Sequence, residues 1–447
     1  MAVVMALFLK HFVIEAYRIP TGSMQPTLIG DEGADVKDRI LVDKLSYLAR
    51  APRRWEVAVF RYPLDRSKNF VKRIAGVGPE ELRFENGDLW RRGPGEDWRI
   101  ARRPASVMRE HWRRLDALHD EQSHWIPQDM PLSSRWETVG RSIHARGRGA
   151  AAFRGGHESI VDDYLDGYPE ELLEWLPPHR GESGQNQVGD LRIEGRIRAL
   201  AGTPLFAVVL REGPRRYRFE LPGPAAADGA HARIDAGPSA RAGGGGDGAP
   251  ASLAYRLPAG RDVRFAVENL DDRLALEIDG EERLALEIEP AQDQSSGATL
   301  ELEGEGADLD ELMVYRDIFY ETRTGPISVP AGDYYMLGDN TQDSSDSREW
   351  SYVVYDVAGA DGVRRRVRGN AREGENPRMV GFGEPDGPFT YLVDEWGEKH
   401  WFARGRAERT TPEAAPFVPR ALVEGKALAV FWPLDPTRGI WRLKWVN

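Results

Sequence analysis

The chain has 447 residues, of which 41% are hydrophobic and 30% charged, so it is long enough for about two to four domains with hydrophobic cores. Its formal net charge of -12 argues against non-specific nucleic-acid binding, because contact with phosphates requires a basic surface. The absence of cysteine excludes disulfides, thiol nucleophiles and thiolate metal sites.

The first segment, residues 1–17, reads MAVVMALFLKHFVIEAY and is apolar enough to predict a helix. Its apolar part is shorter than the roughly 20 residues that cross a bilayer, and it lacks the basic leader and cleavage site of a secretory signal. Three interpretations stay open: the end of a truncated transmembrane helix, an amphipathic helix in the membrane interface, or a helix packed on the protein core.

The stretch from residue 18 to residue 95 has the pattern of β-strands. Apolar and polar residues alternate in DRILVDKLSYL and in WEVAVFRYP. Farther on, Phe84 and Leu89 flank Asn86 and Gly87, a dipeptide that favours the positive backbone φ angles of a tight hairpin turn. We therefore predict a β-rich unit with a hairpin at this turn.

Residues 96–187 break the strand pattern with a composition rich in Trp, Pro, Gly and Arg. One helix is predicted at SVMREHWRRLDALH, residues 106–119, where Val107, Trp112 and Leu115 fall roughly on one face. We interpret this region as an irregular insert that contains one helix.

Residues 188–320 contain seven or so short strand patterns. The clearest is LALEIDGEERLALEI, in which Asp279 and Gly280 separate two alternating segments and predict a hairpin. Short strands with regular turns are typical of a β-sandwich. The glycine-rich segment 240–250 is predicted to be a flexible loop between strands of this sandwich.

The last third of the chain begins with a new apolar run at residues 321–350. Residues 351–415 form a second, charged and glycine-rich insert with a predicted hairpin at FTYLVDEWGEKHWFARG. Residues 416–447 contain VPRALVEGKALAVFWPLDP, which again has the pattern of a strand.

The sequence RIPTGSMQPTL places Ser23 in a bend between two prolines. A serine becomes a nucleophile when a base takes its proton, and that base is usually a histidine or a lysine made neutral by burial. The nine histidines lie mostly in irregular regions, whereas NFVKRIAG carries Lys72 within a strand pattern. Alternation places Lys72 on the same face as Phe70 and Ile74, as a desolvated base requires.

Three motifs in this order, RIPTGSMQPTL, NFVKRIAG and GDNTQDSSDSREW, resemble the bacterial signal peptidase I family, membrane-bound serine/lysine endopeptidases of the S26 class. The long insertions between them resemble those of the enlarged signal peptidases of planctomycete-like bacteria. The resemblance implies a signal-peptidase-like β catalytic core from residues 18–95, 321–350 and 416–447. Together with the strand patterns above, this predicts a mainly β fold with an inserted jelly-roll or lectin-like β-sandwich and a short N-terminal helix.

The resemblance also implies roles for individual residues. Ser23 matches the nucleophile and Lys72 the general base, while Thr21 and the backbone N–H of Ser23 match the oxyanion hole. Ser344 matches the serine that orients the lysine. Three further residues match the polar support of the same loop: Asp339, Asp346 and Arg348.

Four apolar residues match positions that line the shallow substrate pockets of the family: Ile19, Met24, Leu28 and Phe70. Leu28 is equally well interpreted as an ordinary core residue. The family's Trp-Gly-x-Val-Pro sequence is split in this chain, with Trp350 in one part and Val418 and Pro419 in the other.

The implied substrates are signal peptides of secreted preproteins with small residues at the first and third positions before the cut. The implied partners are membrane lipid and the secretion machinery, and the implied location is the cell membrane with the catalytic part on the extracytoplasmic side. Neither nucleic acid nor a cofactor is expected, and no metal, since the sequence has no H-E-x-x-H motif or phosphate-binding loop. What the sandwich binds is left open.

Two other functions fit parts of the sequence. A surface protein could carry a vestigial protease core beside a sandwich that binds carbohydrate or protein, but the intact Ser23, Lys72 and Ser344 argue against this. A cytosolic self-cleaving repressor uses the same serine/lysine chemistry. It needs a DNA-binding region before the serine, however, and only 22 residues precede Ser23.

Overall fold

The chain folds into antiparallel β-sheets with little helix, which confirms the prediction of a mainly β protein. No helix of the described residues is long and apolar enough to cross a membrane. The computed structural model describes residues 13–30, 36–115, 123–128, 130–156, 159–169, 172, 184–239, 250–290, 295–322, 325–359, 362–371, 376–382, 388–403, 405–435 and 440–447.

The first part of the chain supplies strands to two sheets. It contains β1 Ile14–Arg18, β2 Arg39–Asp43, α1 Ser46–Ala49, β3 Val57–Tyr62, β4 Asp65–Val77, β5 Glu80–Glu85, β6 Asp88–Arg92 and β7 Arg99–Ile100. The predicted N-terminal helix is wrong for residues 14–17, which pair as β1 with β2. Residues 1–12 of that prediction lie outside the described residues.

The hairpin predicted at Asn86 and Gly87 is present. Phe84 of β5 pairs with Leu89 of β6, and both turn residues have positive φ angles, 53° at Asn86 and 90° at Gly87. The dipeptide therefore determines this turn locally, as its backbone preference predicts.

The middle of the chain forms a two-sheet sandwich. Its elements are α2 Ala105–His111, β8 Arg113–Arg114, β9 Trp125–Gln128, β10 Arg135–Val139, β11 Ser142–Arg146, β12 Gly149–Phe153, β13 Leu191–Ala199, β14 Leu205–Glu212, β15 Arg215–Pro222, β16 Ala232–Asp235, β17 Ala251–Leu253, β18 Asp262–Leu270, β19 Arg273–Ile278, β20 Glu281–Glu287, β21 Ser296–Glu303 and β22 Gly306–Arg316.

One sheet of the sandwich has the order β10-β11-β22-β13-β18-β19-β20 and the other β17-β16-β15-β14-β21-β12-β9. A single apolar cluster, which includes Ile193, Phe206, Phe265 and Leu300, fills the space between them. The hairpin predicted at Asp279-Gly280 joins β19 and β20. Most of the predicted glycine-rich loop, residues 240–249, lies outside the described residues.

The sandwich begins earlier in the chain than expected. Strands β9 to β12 fall in residues 96–187, which the sequence assigns to an irregular insert, yet they pair into both sandwich sheets. The predicted helix at residues 106–119 is also shorter: α2 ends at His111, and Arg113 and Arg114 pair with β22. These strands were missed because their partners are distant in sequence and their own alternation is weak.

The last part of the chain returns to the first sheets and adds two small ones. It contains β23 Ile327–Val329, β24 Asp333–Leu337, β25 Ser351–Ala358, β26 Arg364–Asn370, β27 Arg378–Val380, β28 Phe389–Val393, β29 Lys399–Ala403, β30 Ala407–Arg409, β31 Glu413–Ala414, β32 Phe417–Pro419, β33 Val423–Trp432, β34 Leu434–Asp435, β35 Ile440–Trp441 and β36 Lys444–Trp445. Three-residue 3₁₀ turns occur at Arg154–Gly156, Gly237–Ser239 and Arg420–Leu422.

The core sheet has the order β1-β2-β33-β3-β4-β24-β32. It is buried on both faces, because Val57 and Val59 of β3 pack in one apolar cluster while Ala58 and Phe60 pack in another. A sheet covered on both faces explains the continuous apolar run VAVF. A second sheet, β23-β5-β6-β7, packs against it through a third cluster.

The split motif of the sequence comes together in space. Trp350 and Val418 lie in one apolar cluster, although the second insert, residues 351–415, separates them. That insert contains β25, β26, β30 and β31 in one sheet and β27 to β29 in another. The hairpin predicted there is formed by β28 and β29.

Candidate functional site

Ser23 lies in the turn between β1 and β2, and the backbone of this turn is held from the loop after β24. The carbonyl of Gly22 accepts a hydrogen bond from the Asn340 side-chain amide at 3.1 Å. The backbone N–H of Asn340 donates to the carbonyl of Ser23 at 3.3 Å. The two contacts fix the serine relative to the neighbouring loop.

Lys72 lies in β4, and its Nζ atom is within hydrogen-bond distance of Ser23 Oγ. The residue is only 2% exposed. It pairs with Ala58 of β3, which packs in the same cluster as Phe70 and Ile74, so Lys72 is on the face that the alternation predicts. Burial is the largest effect on the amine and lowers its pKa to about 8, although the nearby carboxylate of Asp346 opposes this shift.

Asp346 organises the loop that closes over the lysine. Its carboxylate accepts hydrogen bonds from Ser344 Oγ at 2.9 Å and from the backbone N–H of Gly338 at 2.9 Å. The Arg348 guanidinium donates to both carboxylate oxygens, at 2.9 and 2.8 Å. Burial alone would raise the pKa of Asp346, but Arg348 outweighs it, so the pKa lies below its ordinary value and the group is charged.

Gly338 is a further point where this loop lies against the Ser23 turn. A Cβ atom at this position would overlap Ser344 Oγ and the backbone carbonyl oxygen of Ser23. The absence of a side chain therefore lets Ser23, Ser344 and the end of β24 lie side by side.

A fully buried ion pair lies behind the site. The Nε and Nη2 atoms of Arg73 donate to the two carboxylate oxygens of Asp339, with N–O distances of 2.8 and 2.7 Å, and neither side chain is exposed. Thr27 Oγ1 donates to the same carboxylate at 2.6 Å. Burial would raise the pKa of Asp339, but the charge of Arg73 holds it well below its ordinary value. The pair ties β4, the Ser23 turn and the loop after β24 together.

A cleft of about 740 Å³ opens above Ser23 and Lys72. Its walls come from the Ser23 turn, β4, the loop after β24 and the second insert. The residues that line it include Ile19, Thr21, Ser23, Tyr62, Lys68, Phe70, Lys72, Asn370 and Ala371. Tyr62 and Phe70 stack with ring centroids 4.1 Å apart, which gives one wall a rigid aromatic surface.

The residues expected to line substrate pockets divide into two groups. Ile19 and Phe70 line the cleft, as does Thr21 of the expected oxyanion hole. Met24 and Leu28 do not line it: each is 0% exposed and packs in an apolar cluster with Val57. The expectation for these two differs from the structure because the turn buries both side chains in the protein.

Several residues that shape the site were missed in the sequence. Asn340 stands inside the quoted GDN motif, and Arg73 follows Lys72, so both could have been inferred from those motifs. Nothing in the sequence indicated that the first insert would reach the serine turn. Tyr168 of that insert donates to Gln25 Oε1 at 2.6 Å, and Gln25 in turn donates to the carbonyl of Gly30 at 2.8 Å.

Two groups of side chains in the described part of the chain have the spacing of metal ligands, with ligand atoms within 4.8 Å of one another. They are Asp394, Glu398 and His400 in the second insert, and Asp88, Asp190 and Asp271 between β6 and the sandwich. None of these residues lines the cleft above Ser23. At the cleft itself, the structure places the Ser23 hydroxyl beside the buried amine of Lys72.

Comparison with known proteins relates this site to one family. A family model described as "Signal peptidase, peptidase S26" matches residues 1–129 and 271–361. A probable signal peptidase I-2 of Synechocystis sp. is 39% identical over 98 residues, which cover 21% of this chain and 42% of that protein. A signal peptidase I of Pseudomonas fluorescens is 40% identical over 90 residues, covering 17% of this chain and 30% of that one.

The chain therefore spans less than half the length of these curated relatives. Solved structures of similar shape include a carbohydrate-binding module CBM66 from Bacillus subtilis, with 10% identity, a TM-score of 0.25, and coverage of 43% of this chain and 96% of that one. Another is the CBM2 module of a Lactobacillus casei phage Dit protein, with 10% identity, a TM-score of 0.29, and coverage of 47% and 99%. Scores this low carry no argument about ligands.

Proposed function

This chain belongs to the signal peptidase family S26, and from that premise we propose that it is a signal peptidase I, a serine endopeptidase that cleaves signal peptides from secreted preproteins. The observation that carries the proposal is the buried amine of Lys72 beside Ser23 Oγ in an open cleft. Lysine is almost never fully buried in proteins, and groups with strongly shifted pKa values cluster at functional sites, so a buried lysine in a cleft indicates a functional role.

In the proposed mechanism, neutral Lys72 takes the proton of Ser23 as Oγ attacks the carbonyl carbon of the scissile peptide bond. The negative oxygen that forms is stabilised by the Ser23 backbone N–H and the Thr21 hydroxyl. Protonated Lys72 then gives its proton to the leaving amine, and the C–N bond breaks. Lys72 next takes a proton from water as the water oxygen attacks the carbonyl carbon of the acyl-enzyme. It then gives this proton to Ser23 Oγ as the ester C–O bond breaks, which releases the signal peptide and restores the neutral amine.

The remaining residues act by position. We assign Asp346 and Arg348 to holding the loop that carries Ser344, and the Arg73–Asp339 pair to fixing β4 against the Ser23 turn. Ser344 would orient the amine of Lys72. Fixed geometry matters because a misplacement of about 1 Å can cost about a hundredfold in rate.

The pH dependence of cleavage tests the lysine base. Only the neutral amine accepts a proton, so kcat/KM should rise as pH increases through about 8 and level off above it, because burial lowers the pKa of Lys72 to about 8. The measurement is cleavage of a fluorogenic peptide with alanine at the first and third positions before the cut, between pH 5 and pH 11.

A matched variant checks that this rise of kcat/KM with pH reports the deprotonation of Lys72. Asp343 is exposed, and its negative charge raises the pKa of Lys72. Asp343→Asn should therefore shift the rise of kcat/KM to lower pH. A rate that rises only near pH 10, the range of a solvated lysine, would contradict the proposed base.

We also propose that the protein binds a membrane surface, with the cleft on the extracytoplasmic side. Trp441 on β35, Leu443, and Trp445 on β36 are 62%, 71% and 73% exposed, and β36 pairs with β33. The guanidinium of Arg39 lies 5.5 Å from the ring of Trp432 on β33. Exposed aromatic residues beside basic ones are typical of membrane interfaces.

Vesicle binding tests this surface. Replacing Trp441 and Trp445 together with serine should weaken co-sedimentation with anionic phospholipid vesicles by at least about tenfold, because two large apolar side chains no longer enter the interface. Trp401→Ser is the control, since Trp401 is 57% exposed but lies on β29 of the second insert. Equal loss in both variants would contradict an assignment to the β36 region.

A further inference from the structure

The cleft above Ser23 does not end at the catalytic sheet. Asn370 and Ala371, at the end of β26 in the second insert, form part of its wall. A second cavity of about 380 Å³ shares Lys68 and Asn370 with the cleft, so the two are adjacent. The second cavity is lined on one side by the start of β4 and on the other by the second insert.

The second insert is held against the hairpin of β3 and β4 by several contacts. The Arg66 guanidinium lies 3.6 Å from the ring centroid of Trp396, and the backbone N–H of Arg66 donates to the carbonyl of Glu395 at 3.1 Å. Tyr62, which lines the cleft, donates a hydrogen bond from its Oη to Asn370 Oδ1 of the insert at 3.3 Å. The insert is therefore a fixed wall of the cleft.

Asn376 joins the two sheets of the insert at this wall. Its side-chain amide donates to the carbonyls of Asn370 and Val393, both at 2.8 Å, and its Oδ1 accepts from the backbone N–H of Val393 at 2.8 Å. These bonds set the position of Arg378 and Tyr391, which line the second cavity and whose guanidinium and ring centroid are 4.9 Å apart.

The cleft follows β4 from Lys72 back to Lys68. A strand advances about 3.3 Å per residue, so these two positions are roughly 13 Å apart, which is the length of about four residues of an extended peptide. A substrate lying along β4 would reach the second cavity about four residues from the bond that is cut. The cavity combines Asp65, Lys68 and Asp394 with Arg378, and such walls suit a polar peptide segment.

We propose that the second insert and the start of β4 form a remote subsite, which binds a polar stretch of the substrate polypeptide four or more residues from the scissile bond. This inference rests on the proposed peptidase function. The remote subsite would let the enzyme select substrates by a region outside the small-residue pattern at the cut, and short peptides would lack this binding energy.

Peptides of two lengths test the remote subsite. The short one carries three residues before the cut and two after it, and the long ones extend it by six polar residues at either end. We expect one of the two extensions to lower KM by about tenfold, and the same extension to tighten binding to the Ser23→Ala variant, measured by fluorescence anisotropy. If neither extension changes KM or binding, the remote subsite is wrong.

Variants in the insert locate the effect. Ala371 and Arg378 are exposed, so Ala371→Trp and Arg378→Glu should leave the fold intact, and we expect each to reduce the advantage of the long peptide from about tenfold to about twofold or less. Arg409→Trp is the matched control, because Arg409 is exposed on β30 of the same insert but lines neither cavity. An unchanged advantage in both cleft variants would overturn the proposal.

If the protein is not a peptidase, the experiments give a different result from the one expected if only the remote subsite is absent. In that case no peptide is cleaved, and a penem that acylates activated serines does not label Ser23. Cleavage of the short peptide and penem labelling, without any effect of peptide length, would reject the remote subsite alone. Binding of the long peptide to the Ser23→Ala variant is measured without turnover, so it reports on the subsite in either case.

Discussion

Lys72→Ala is expected to lower kcat for preprotein cleavage by at least about a thousandfold, with the protein still folded. Removing the base of a serine nucleophile has an effect of this size, because the hydroxyl then has no group to take its proton. Ser23→Ala should lose about as much, and the double variant little more, since the two residues act as one unit. The measurement is the single-turnover rate on a preprotein, with circular dichroism as the check on folding.

Lys399→Ala is the matched control for this experiment. Lys399 is an exposed lysine on β29 and does not line the cleft, so its loss should leave the rate unchanged. Full activity of Lys72→Ala would show that another group is the base. Inactive wild-type protein that still binds a carbohydrate or protein ligand would instead favour a vestigial protease core.

The largest stability effect is expected at the buried pair of Arg73 and Asp339. Asp339→Asn keeps the size of the side chain but leaves the guanidinium buried without a counter-charge, which typically costs about 3 to 5 kcal/mol of unfolding free energy. Urea denaturation followed by tryptophan fluorescence should show the transition of the core sheet at a clearly lower urea concentration. The sandwich transition should stay in place.

Two further variants separate charge from packing. Arg73→Met combined with Asp339→Leu removes both charges and should recover part of the lost stability, because replacing a whole buried pair by apolar residues is often neutral. Glu408→Gln breaks the exposed pair between Arg364 and Glu408 and should leave the urea midpoint unchanged. A midpoint equally insensitive to Asp339→Asn would contradict the structural role of the buried pair.

Local signals in the sequence were sufficient for the hairpins and for the face of Lys72. The turn dipeptides Asn86-Gly87 and Asp279-Gly280 fix their own backbone conformation, so neighbouring strands follow without distant information. The alternation along β4 determines which residues share a face with Lys72, since successive side chains point to opposite sides. Both kinds of signal span fewer than about ten residues.

Distant pairings could not be inferred in the same way. Strands β9 to β12 carry mixed and small residues, and their place in the sandwich depends on β21 and β22, much later in the chain. The strand β1 was interpreted as helix because its apolar neighbours continue into residues 1–12, while its pairing with β2 is a tertiary effect that overrides local preference.

In the candidate site, too, local motifs could be recognised in the sequence, whereas features that depend on tertiary packing could not. The three motifs of the sequence indicate Ser23, Lys72 and Ser344. The structure places Lys72 Nζ within hydrogen-bond distance of Ser23 Oγ, and Ser344 beside Gly338 and the Ser23 carbonyl. The burial of Met24 depends on how the turn folds under the core sheet, which a motif does not describe. The contribution of the second insert to the cleft depends on its docking, for which the sequence contains no pattern.

The position of β33 has a consequence for how the protein matures. This strand lies between β2 and β3, although it follows them by most of the chain, so β2 and β3 cannot take their places during translation until the ribosome has released it. The sandwich strands are contiguous and can fold while synthesis continues. The cleft at Ser23 and Lys72 should therefore assemble late and slowly, and a nascent chain would carry a folded sandwich before it carries this cleft.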